Sequence, residues 1–187
     1  MNIWVTSDSH FSHRNILQYC NRPWSSVEEM NQGLIDRWNE RVGKNDVVYH
    51  LGDFCLTTKI DLIDEWLSQL NGTIRLVKGN HDVWIKKLDR LEYGHKIEWI
   101  RDYSKQTVMI DDQKHQVVMF HFPIMFWENS HHGSVHLHGH CHGNAQNHNK
   151  NLRRFDVGVD CNDWYPVLLD DVVRQLVNKD TNPHHND

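Results

Sequence analysis

The pattern of hydrophobic residues differs between the two halves of the chain. In the first half, short apolar runs of strand length alternate with segments whose apolar residues recur at helical spacing. A helix is predicted at 25–42, and a second helix ends before Asn71-Gly72. The predicted strands are 2–8, 47–53 and the start of 73–82, which runs on into a loop. Strands that alternate with helices in this way predict parallel pairing through crossover connections.

The second half reads mainly as strands. The runs 107–110 and 116–122 flank DDQKH, which favours a hairpin, and 168–177 has the pattern of a last helix. Two more strands are predicted at 135–140 and 155–160. Together the halves indicate an α/β protein with a mixed sheet or a pair of sheets and flanking helices. We predict a single domain over 1–178 and a polar, frayed tail at 179–187.

The composition excludes several classes of protein but does not indicate a particular function. A chain of 187 residues with 39% hydrophobic and 24% charged residues is typical of one globular domain. Its net charge of −5 argues against an extended nucleic-acid-binding surface. We expect no signal peptide and no membrane span, because neither apolar pattern occurs. The four cysteines are scattered, so we expect free thiols and a cytoplasmic location.

Polar residues gather where the predicted strands end. Because the carboxyl ends of parallel strands share one edge of a sheet, these side chains are expected to converge there. Carboxylate, amide and imidazole groups suit borderline divalent metals, and there are too many of them for one tetrahedral zinc site. They suit two ions that share a carboxylate. The seven candidate ligands are Asp8, His10, Asp53, Asn80, His121, His140 and His142, and His81 and Asp82 directly follow Asn80.

The order of these blocks resembles the calcineurin-like metallophosphoesterase superfamily, and the flanking residues are similar to small bacterial and phage members. The blocks are SDSH, LGD, GNHD, a single histidine at 121 and GHCH. The resemblance implies a β-sandwich of two mixed sheets flanked by helices. It also implies two metal positions that share the carboxylate of Asp53. The first position would be formed by Asp8, His10, Asp53 and His142, and the second by Asp53, Asn80, His121 and His140.

The resemblance also implies a reaction. Two divalent ions, with manganese favoured and iron, zinc, nickel or cobalt as alternatives, would hold a bridging hydroxide that attacks phosphorus. His81 would stabilise or protonate the leaving oxygen, and Asp82 would orient His81. The chain departs from the protein-phosphatase branch, whose second block reads GDxVDRG, because it reads GDFCLTT here. A protein phosphosite is therefore disfavoured as the substrate.

Hydrolysis of a phosphodiester in a nucleotide, a cyclic nucleotide or a nucleic-acid end is the favoured function. A phosphomonoesterase is the nearest alternative. A third reading is a non-catalytic metal-binding scaffold for protein interactions, as in the retromer subunit of this fold. Scaffolds of that kind tend to lose ligands or the histidine of GNHD, whereas all of these positions are filled here. We expect a small phosphate-ester substrate and no membrane partner, and the oligomeric state stays open.

The sequence also suggests roles for residues that neighbour the candidate ligands. His13, Arg14 and Asn15 could bind an anionic substrate or form an ordinary solvated turn. His50, His136 and His138 are predicted as buried, hydrogen-bonded groups that support the metal ligands. Aromatic residues near the blocks could stack a nucleobase, although packing under a loop is the favoured interpretation. These aromatic residues are Trp84, Phe122, Phe126 and Trp127.

Overall fold

The computed structural model describes residues 1–145, 148 and 150–182, and these form two β-sheets packed face to face with helices outside. The strands of this part are β1 (Ile3–Thr6), β2 (Val47–His50), β3 (Thr73–Val77), β4 (Ile97–Arg101), β5 (Tyr103–Ile110), β6 (Gln113–Phe120), β7 (Val135–His138), β8 (Arg154–Asp156) and β9 (Val167–Leu168). Its α-helices are α1 (Ile16–Tyr19), α2 (Val27–Arg41), α3 (Ile60–Gln69) and α4 (Leu169–Val177). Short 3₁₀ helices occur at Val83–Arg90, Tyr93–Lys96, Ser130–His132 and Val159–Cys161.

Both sheets are mixed, as predicted. The first has the order β4-β3-β2-β1-β9, in which β1 to β4 run parallel and β9 pairs antiparallel with β1. The second has the order β5-β6-β7-β8, in which the β5–β6 hairpin is antiparallel and the other pairs are parallel. The predicted parallel pairing of the first half is therefore confirmed.

The first sheet is buried on both faces, which explains its continuous apolar runs. On one face, Val48, Ile74 and Leu76 pack against the apolar sides of α2 and α3. On the other face, Val5 and Tyr49 belong to the core that lies between the sheets. The α2 helix lies within the predicted range 25–42 and begins at Val27, because Ser26 caps it: the amide of Glu29 donates to Oγ of Ser26 at 3.1 Å.

The structure corrects two boundaries in the second half and adds one strand. The hairpin turn is only Asp111-Asp112, both with positive φ, so β6 already begins at Gln113. The predicted strand 155–160 ends at Asp156, because a 3₁₀ turn follows Gly158. The β4 strand escapes sequence analysis, since it lies at the sheet edge and is half exposed, which weakens its alternation.

The described residues after α4 form hydrogen bonds with other segments of the protein. The amide of Asp180 donates to the Asn151 carbonyl at 3.1 Å, and the buried side-chain amide of Asn182 donates to the Met125 carbonyl at 2.8 Å. The rest of the predicted tail, 183–187, lies outside the described residues. No helix in the described part is long and apolar enough to cross a membrane.

Candidate metal centre

Loops from both sheets converge at one edge of the molecule. They bring the predicted ligands together in two groups, within each of which the possible ligand atoms lie within 4.8 Å of one another. We call Asp8, His10 and His142 the first cluster, and Asp53, His121 and His140 the second cluster. Asn80 adjoins the second cluster, because its Oδ1 lies 3.0 Å from Nε2 of His121. Each cluster takes residues from both sheets, so the centre depends on their packing.

Asp53 belongs to the second cluster and also faces the first. Its Oδ2 is 3.5 Å from Nε2 of His10 and 3.4 Å from Nε2 of His121. Its other oxygen, Oδ1, accepts a hydrogen bond from the backbone amide of His81 at 2.8 Å. One oxygen therefore fixes the orientation of the carboxylate, and the other faces both groups of imidazoles.

His10 tests whether these residues fit a metal ion. Its side chain is only 2% exposed, and among the described residues Nε2 has no hydrogen-bond partner. An unpaired polar atom in the interior costs free energy and calls for an explanation. Burial lowers the pKa of His10 to about 2, so the ring is neutral and its lone pair is available. This orphaned nitrogen, facing two carboxylates, fits a divalent cation.

Five of the predicted ligands have a left-handed backbone. Positive φ is uncommon outside glycine, and it costs of order 1–3 kcal/mol when the surrounding structure imposes it. Such strain tends to concentrate at functional sites. The five residues are Asp8 (φ 60°), His10 (φ 51°), Asp53 (φ 55°), His140 (φ 69°) and His142 (φ 47°).

Two glycines let the loops approach the carboxylates. A Cβ on Gly79 would collide with Oδ1 of Asp53, and one on Gly139 would collide with Oδ2 of Asp8. Backbone therefore packs directly against both acidic ligands. The glycines of GNHD and GHCH therefore allow a close approach that a side chain would block.

Arg22 and Asp160 support the first cluster, and sequence analysis had not singled them out. Oδ2 of Asp160 lies 2.6 Å from Nδ1 of His142, and Asp160 accepts two hydrogen bonds of 2.9 Å from Arg22. The side chain of Arg22 is fully buried and also donates to the backbone carbonyls of Asp8 and Ser9. With Nδ1 engaged by Asp160, His142 offers Nε2 to a cation. Arg22 lies 12 residues after His10, and Asp160 lies 18 residues after His142, so no local motif reveals them.

The second cluster is supported mainly by backbone. Nδ1 of His121 donates to the Leu51 carbonyl at 2.8 Å, which turns Nε2 toward Asp53 and Asn80. The backbone amide of His140 donates to Oδ2 of Asp8 at 2.9 Å, and this contact joins the β1 and β7 loops. The side chains of Asn80 and His140 are exposed, so the second cluster is the more open of the two.

Asp82 does not orient His81, contrary to the prediction. Its oxygens accept hydrogen bonds from the backbone amides of Asp53 and Gly79 at 2.9 and 2.8 Å. They also accept from the amide of Phe54 and the indole of Trp84. Asp82 is buried, and these four bonds tie the loop after β2 to the loop after β3. Its role is therefore to fix the backbone that carries Asp53.

The predicted substrate residues are only partly brought to the centre. The ring centroid of His81 is 5.4 Å from that of His10, and the ring of His13 is 5.2 Å from the ring of His10. Arg14 and Asn15 are exposed, and within the described residues no hydrogen bond or ion pair joins their side chains to either cluster. Their proposed contact with substrate stays a prediction.

The supporting histidines are buried and hydrogen-bonded. Nε2 of His50 lies 2.9 Å from Oγ of Ser9, and Nδ1 of His138 lies 2.9 Å from the Gly139 carbonyl. His136 lies against the loop that follows β6, where the amide of Ile124 donates to its Nε2 at 3.3 Å. Of the aromatic residues, Trp84 and Trp127 are core, whereas Phe122 and Phe126 are exposed.

Protonation follows from burial and from these contacts. Burial raises the pKa of Asp8 to about 7, although nearby histidines oppose the shift. Burial works in the same direction on Asp53, but the hydrogen bond and charge of His121 outweigh it and hold the pKa well below its usual range. Burial lowers the pKa of His142, yet the hydrogen bond to Asp160 and further favourable contacts outweigh it and raise the pKa to about 10. A bound cation would favour the deprotonated form of each group.

Comparison with known proteins agrees with this centre. The sequence model of the calcineurin-like phosphoesterase superfamily domain matches residues 1–163. The chain therefore belongs to the calcineurin-like phosphoesterase superfamily. With the candidate ligand groups, this membership identifies a metal-dependent phosphoesterase.

Particular relatives come from an archaeon and a phage. An uncharacterized protein of Methanocaldococcus jannaschii is 35% identical over 93% of this chain and 90% of its own length. The gene 66 protein of Mycobacterium phage D29 is 30% identical over 95% of this chain and 96% of its own length. A crystal structure of a protein of unknown function from Aquifex aeolicus is 20% identical, with a TM-score of 0.69 over 93% of this chain and 98% of that chain. At that identity, the crystal structure supports the fold alone.

Proposed function

We propose that the protein uses two divalent cations, with manganese favoured, to hydrolyse a phosphodiester in a nucleotide, a cyclic nucleotide or a nucleic-acid end. The first cation would be held by Asp8, His10, Asp53 and His142. The second would be held by Asp53, Asn80, His121 and His140. When bound, a pair of divalent cations polarises the phosphoryl oxygens and lowers the pKa of water.

The position of Asp53 carries this proposal. A single oxygen, Oδ2, faces an imidazole of each cluster at 3.5 and 3.4 Å. A carboxylate that only capped a loop would need no such arrangement, because Oδ1 already accepts the amide of His81. Two cations that share one carboxylate are the usual arrangement for stabilising the attacking and the leaving oxygen of a phosphoryl transfer.

The remaining residues supply orientation and a proton. In hydrolysis, the oxygen of water bonds to phosphorus, the ester P–O bond breaks, and the leaving oxygen takes up a proton. His81 is suited to provide that proton, because its ring lies 5.4 Å from that of His10 at the edge of the first cluster. Asp82 supports this step indirectly, since it fixes the loop backbone between Asp53 and Gly79.

Hydrolysis of bis(p-nitrophenyl) phosphate and p-nitrophenyl phosphate tests the proposal, with the protein first freed of metal and then given Mn²⁺, Fe²⁺, Zn²⁺, Ni²⁺ or Co²⁺. We expect activity that depends on two bound ions per chain and favours the diester. Preference for the monoester would establish the phosphomonoesterase alternative instead. A folded protein that binds ions and hydrolyses neither ester would establish the scaffold alternative.

The variant His81→Ala separates catalysis from metal binding. Loss of a general acid should lower kcat by about 10²–10⁴-fold. Because its side chain is not among the proposed ligands, elemental analysis should still find two ions per chain. His95→Ala is the matched control, since this exposed histidine lies in a 3₁₀ helix remote from the clusters. Loss of both ions in His81→Ala would contradict its proposed role.

A further inference from the structure

An exposed aromatic strip leads away from the second cluster. The ring of Phe122 lies 4.6 Å from the ring of His140 and 5.6 Å from that of Phe120. Phe120 in turn lies 6.3 Å from Tyr103, its partner across the β5–β6 hairpin. Phe122 and Tyr103 are 36% and 38% exposed, so their rings are accessible at the rim of the centre. We call Tyr103, Phe120 and Phe122 the aromatic strip.

The loop after Phe122 carries two further exposed apolar residues. Met125 and Phe126 are 71% and 62% exposed. Single exposed apolar residues are ordinary, but neighbouring aromatic rings beside a polar site, as in the aromatic strip, mark a binding surface. The first cluster has a different border, because the imidazoles of His13 and His81 adjoin His10 there. The centre therefore has a histidine-rich end and an aromatic end.

Buried polar groups hold this loop in place. Nδ1 of His136 donates to the Val118 carbonyl, and its Nε2 accepts the amide of Ile124, each at 3.3 Å. Arg154 donates to the Ile124 carbonyl at 3.1 Å, and Asn182 donates to the Met125 carbonyl at 2.8 Å. The backbone is thus fixed by side chains from β7, β8 and the segment after α4. Because this backbone is fixed, Met125 and Phe126 remain exposed to solvent. Their exposure adds nothing to the stability of the fold.

We propose that the aromatic strip binds the base of a nucleotide phosphodiester whose phosphate lies at the metal centre. This inference rests on the proposed function and specifies its substrate class. A phosphate held between the clusters places one ester substituent beside His140, and Phe122 offers a ring there. Aromatic rings bind bases by stacking with little sequence preference. The protein would therefore favour nucleotide esters over esters with small alkyl groups.

Two esters with the same leaving group test this directly: the p-nitrophenyl ester of thymidine 5′-monophosphate and methyl p-nitrophenyl phosphate. With a shared leaving group, the ratio of their kcat/KM values measures what the nucleoside contributes. We expect a ratio of about 10 or more, the scale of one base–aromatic stack. A ratio near one, with both esters hydrolysed, would overturn the inference. Hydrolysis of neither ester with any cation would refute the proposed function instead.

Variants of Phe122 assign the preference to the strip. Phe122→Leu keeps apolar volume but removes the ring, so the ratio should fall to within about threefold of one. Phe122→Trp should restore or raise the ratio. Met109→Ala is the matched control, because Met109 is a 58% exposed apolar residue near the end of β5 that is opposite to Tyr103. An unchanged ratio in Phe122→Leu would overturn the assignment.

Sedimentation of the variant Phe126→Asp tests whether a second copy of the chain, and not a base, binds to this apolar surface. If the loop binds substrate, the oligomeric state should not change between the wild type and this variant. A wild-type dimer that this variant dissociates, with an ester ratio near one in both proteins, would show that the surface is a subunit interface and would refute base binding. The two experiments together separate substrate recognition from self-association.

Discussion

Asp8, His10 and His142 of the first cluster lie deeper in the protein than His140 of the second, and they are held differently. The first cluster is supported by a buried ion pair, in which Asp160 joins Arg22 to Nδ1 of His142. The second relies on the Leu51 carbonyl, and its His140 is exposed. We therefore expect the first cluster to hold a cation more firmly and the second cluster to be the more accessible to substrate.

Asp53→Asn should have the largest effect, because it removes the charge that the two clusters share. We expect affinity for both ions to fall by more than the 10- to 100-fold that loss of an outer partner causes, and turnover to fall with it. Titration calorimetry of the metal-free variant measures this without reference to activity. Asp102→Asn, at an exposed aspartate paired with Lys78, is the control. If either ion still bound with wild-type affinity, Asp53 would belong to one cluster only.

Asp160→Asn should weaken the first position selectively. It removes the anion that orients His142, so affinity for one ion should fall by about 10- to 100-fold while the other is retained. The charge of Arg22 would also be left poorly compensated, and breaking a buried pair costs about 3–5 kcal/mol of unfolding free energy. Calorimetry and denaturant unfolding measure the two effects.

The matched control for Asp160→Asn is Glu98→Gln. Glu98 also receives two hydrogen bonds from an arginine, Arg75, but this pair is solvent-exposed. Exposed pairs contribute about 0–1 kcal/mol, so this variant should bind both ions and remain nearly as stable as the wild type. Equal losses in the two variants would show that burial of the Arg22–Asp160 pair is unimportant.

Stepwise metal removal should distinguish the clusters in the unmodified protein. Because His140 and Asn80 are exposed, the second ion should leave at a chelator concentration about tenfold lower than the first. Elemental analysis after dialysis against increasing chelator would then show a plateau near one ion per chain. Simultaneous loss of both ions would mean that the difference in support has no thermodynamic consequence.

His136→Gln should have the smallest effect and should leave both clusters intact. Burial, with His138 and Arg154 nearby, lowers the pKa of His136 to about 3, below its value of about 6.5 in the unfolded chain. Since the unfolded state binds the extra proton between these values, the native protein loses stability as pH falls below about 6.5 and retains it fully above.

The measurement for His136→Gln is the unfolding free energy of the metal-free protein between pH 6.5 and 5. Removing the titrating group should reduce the slope by at most about 1.4 kcal/mol per pH unit. Two ions per chain should still bind, because His136 contacts the loop backbone and no ligand. Selective loss of one ion would place His136 among the metal ligands and would contradict its assignment as a supporting residue.

The local sequence was enough to predict the elements that are regular and apolar. Parallel pairing of β1, β2 and β3 follows from the alternation of strand and helix, and the start of α2 follows from Ser26 and Glu29. The β4 edge strand and the length of the β5–β6 turn were not predictable. Their patterns depend on exposure at a sheet edge and on two aspartates that adopt left-handed backbone.

The sequence by itself determined the ligand types and the strand ends that carry them, because motif spacing fixes which side chains follow each strand. The resemblance already implied how these ligands divide into two groups, whereas only the tertiary structure decided the distances within each group, since these depend on the packing of one sheet against the other. The tertiary structure also decided the parts played by Asp82, Arg22 and Asp160. Their hydrogen bonds join loops that are distant along the chain, and no local pattern records which carboxylate meets which partner.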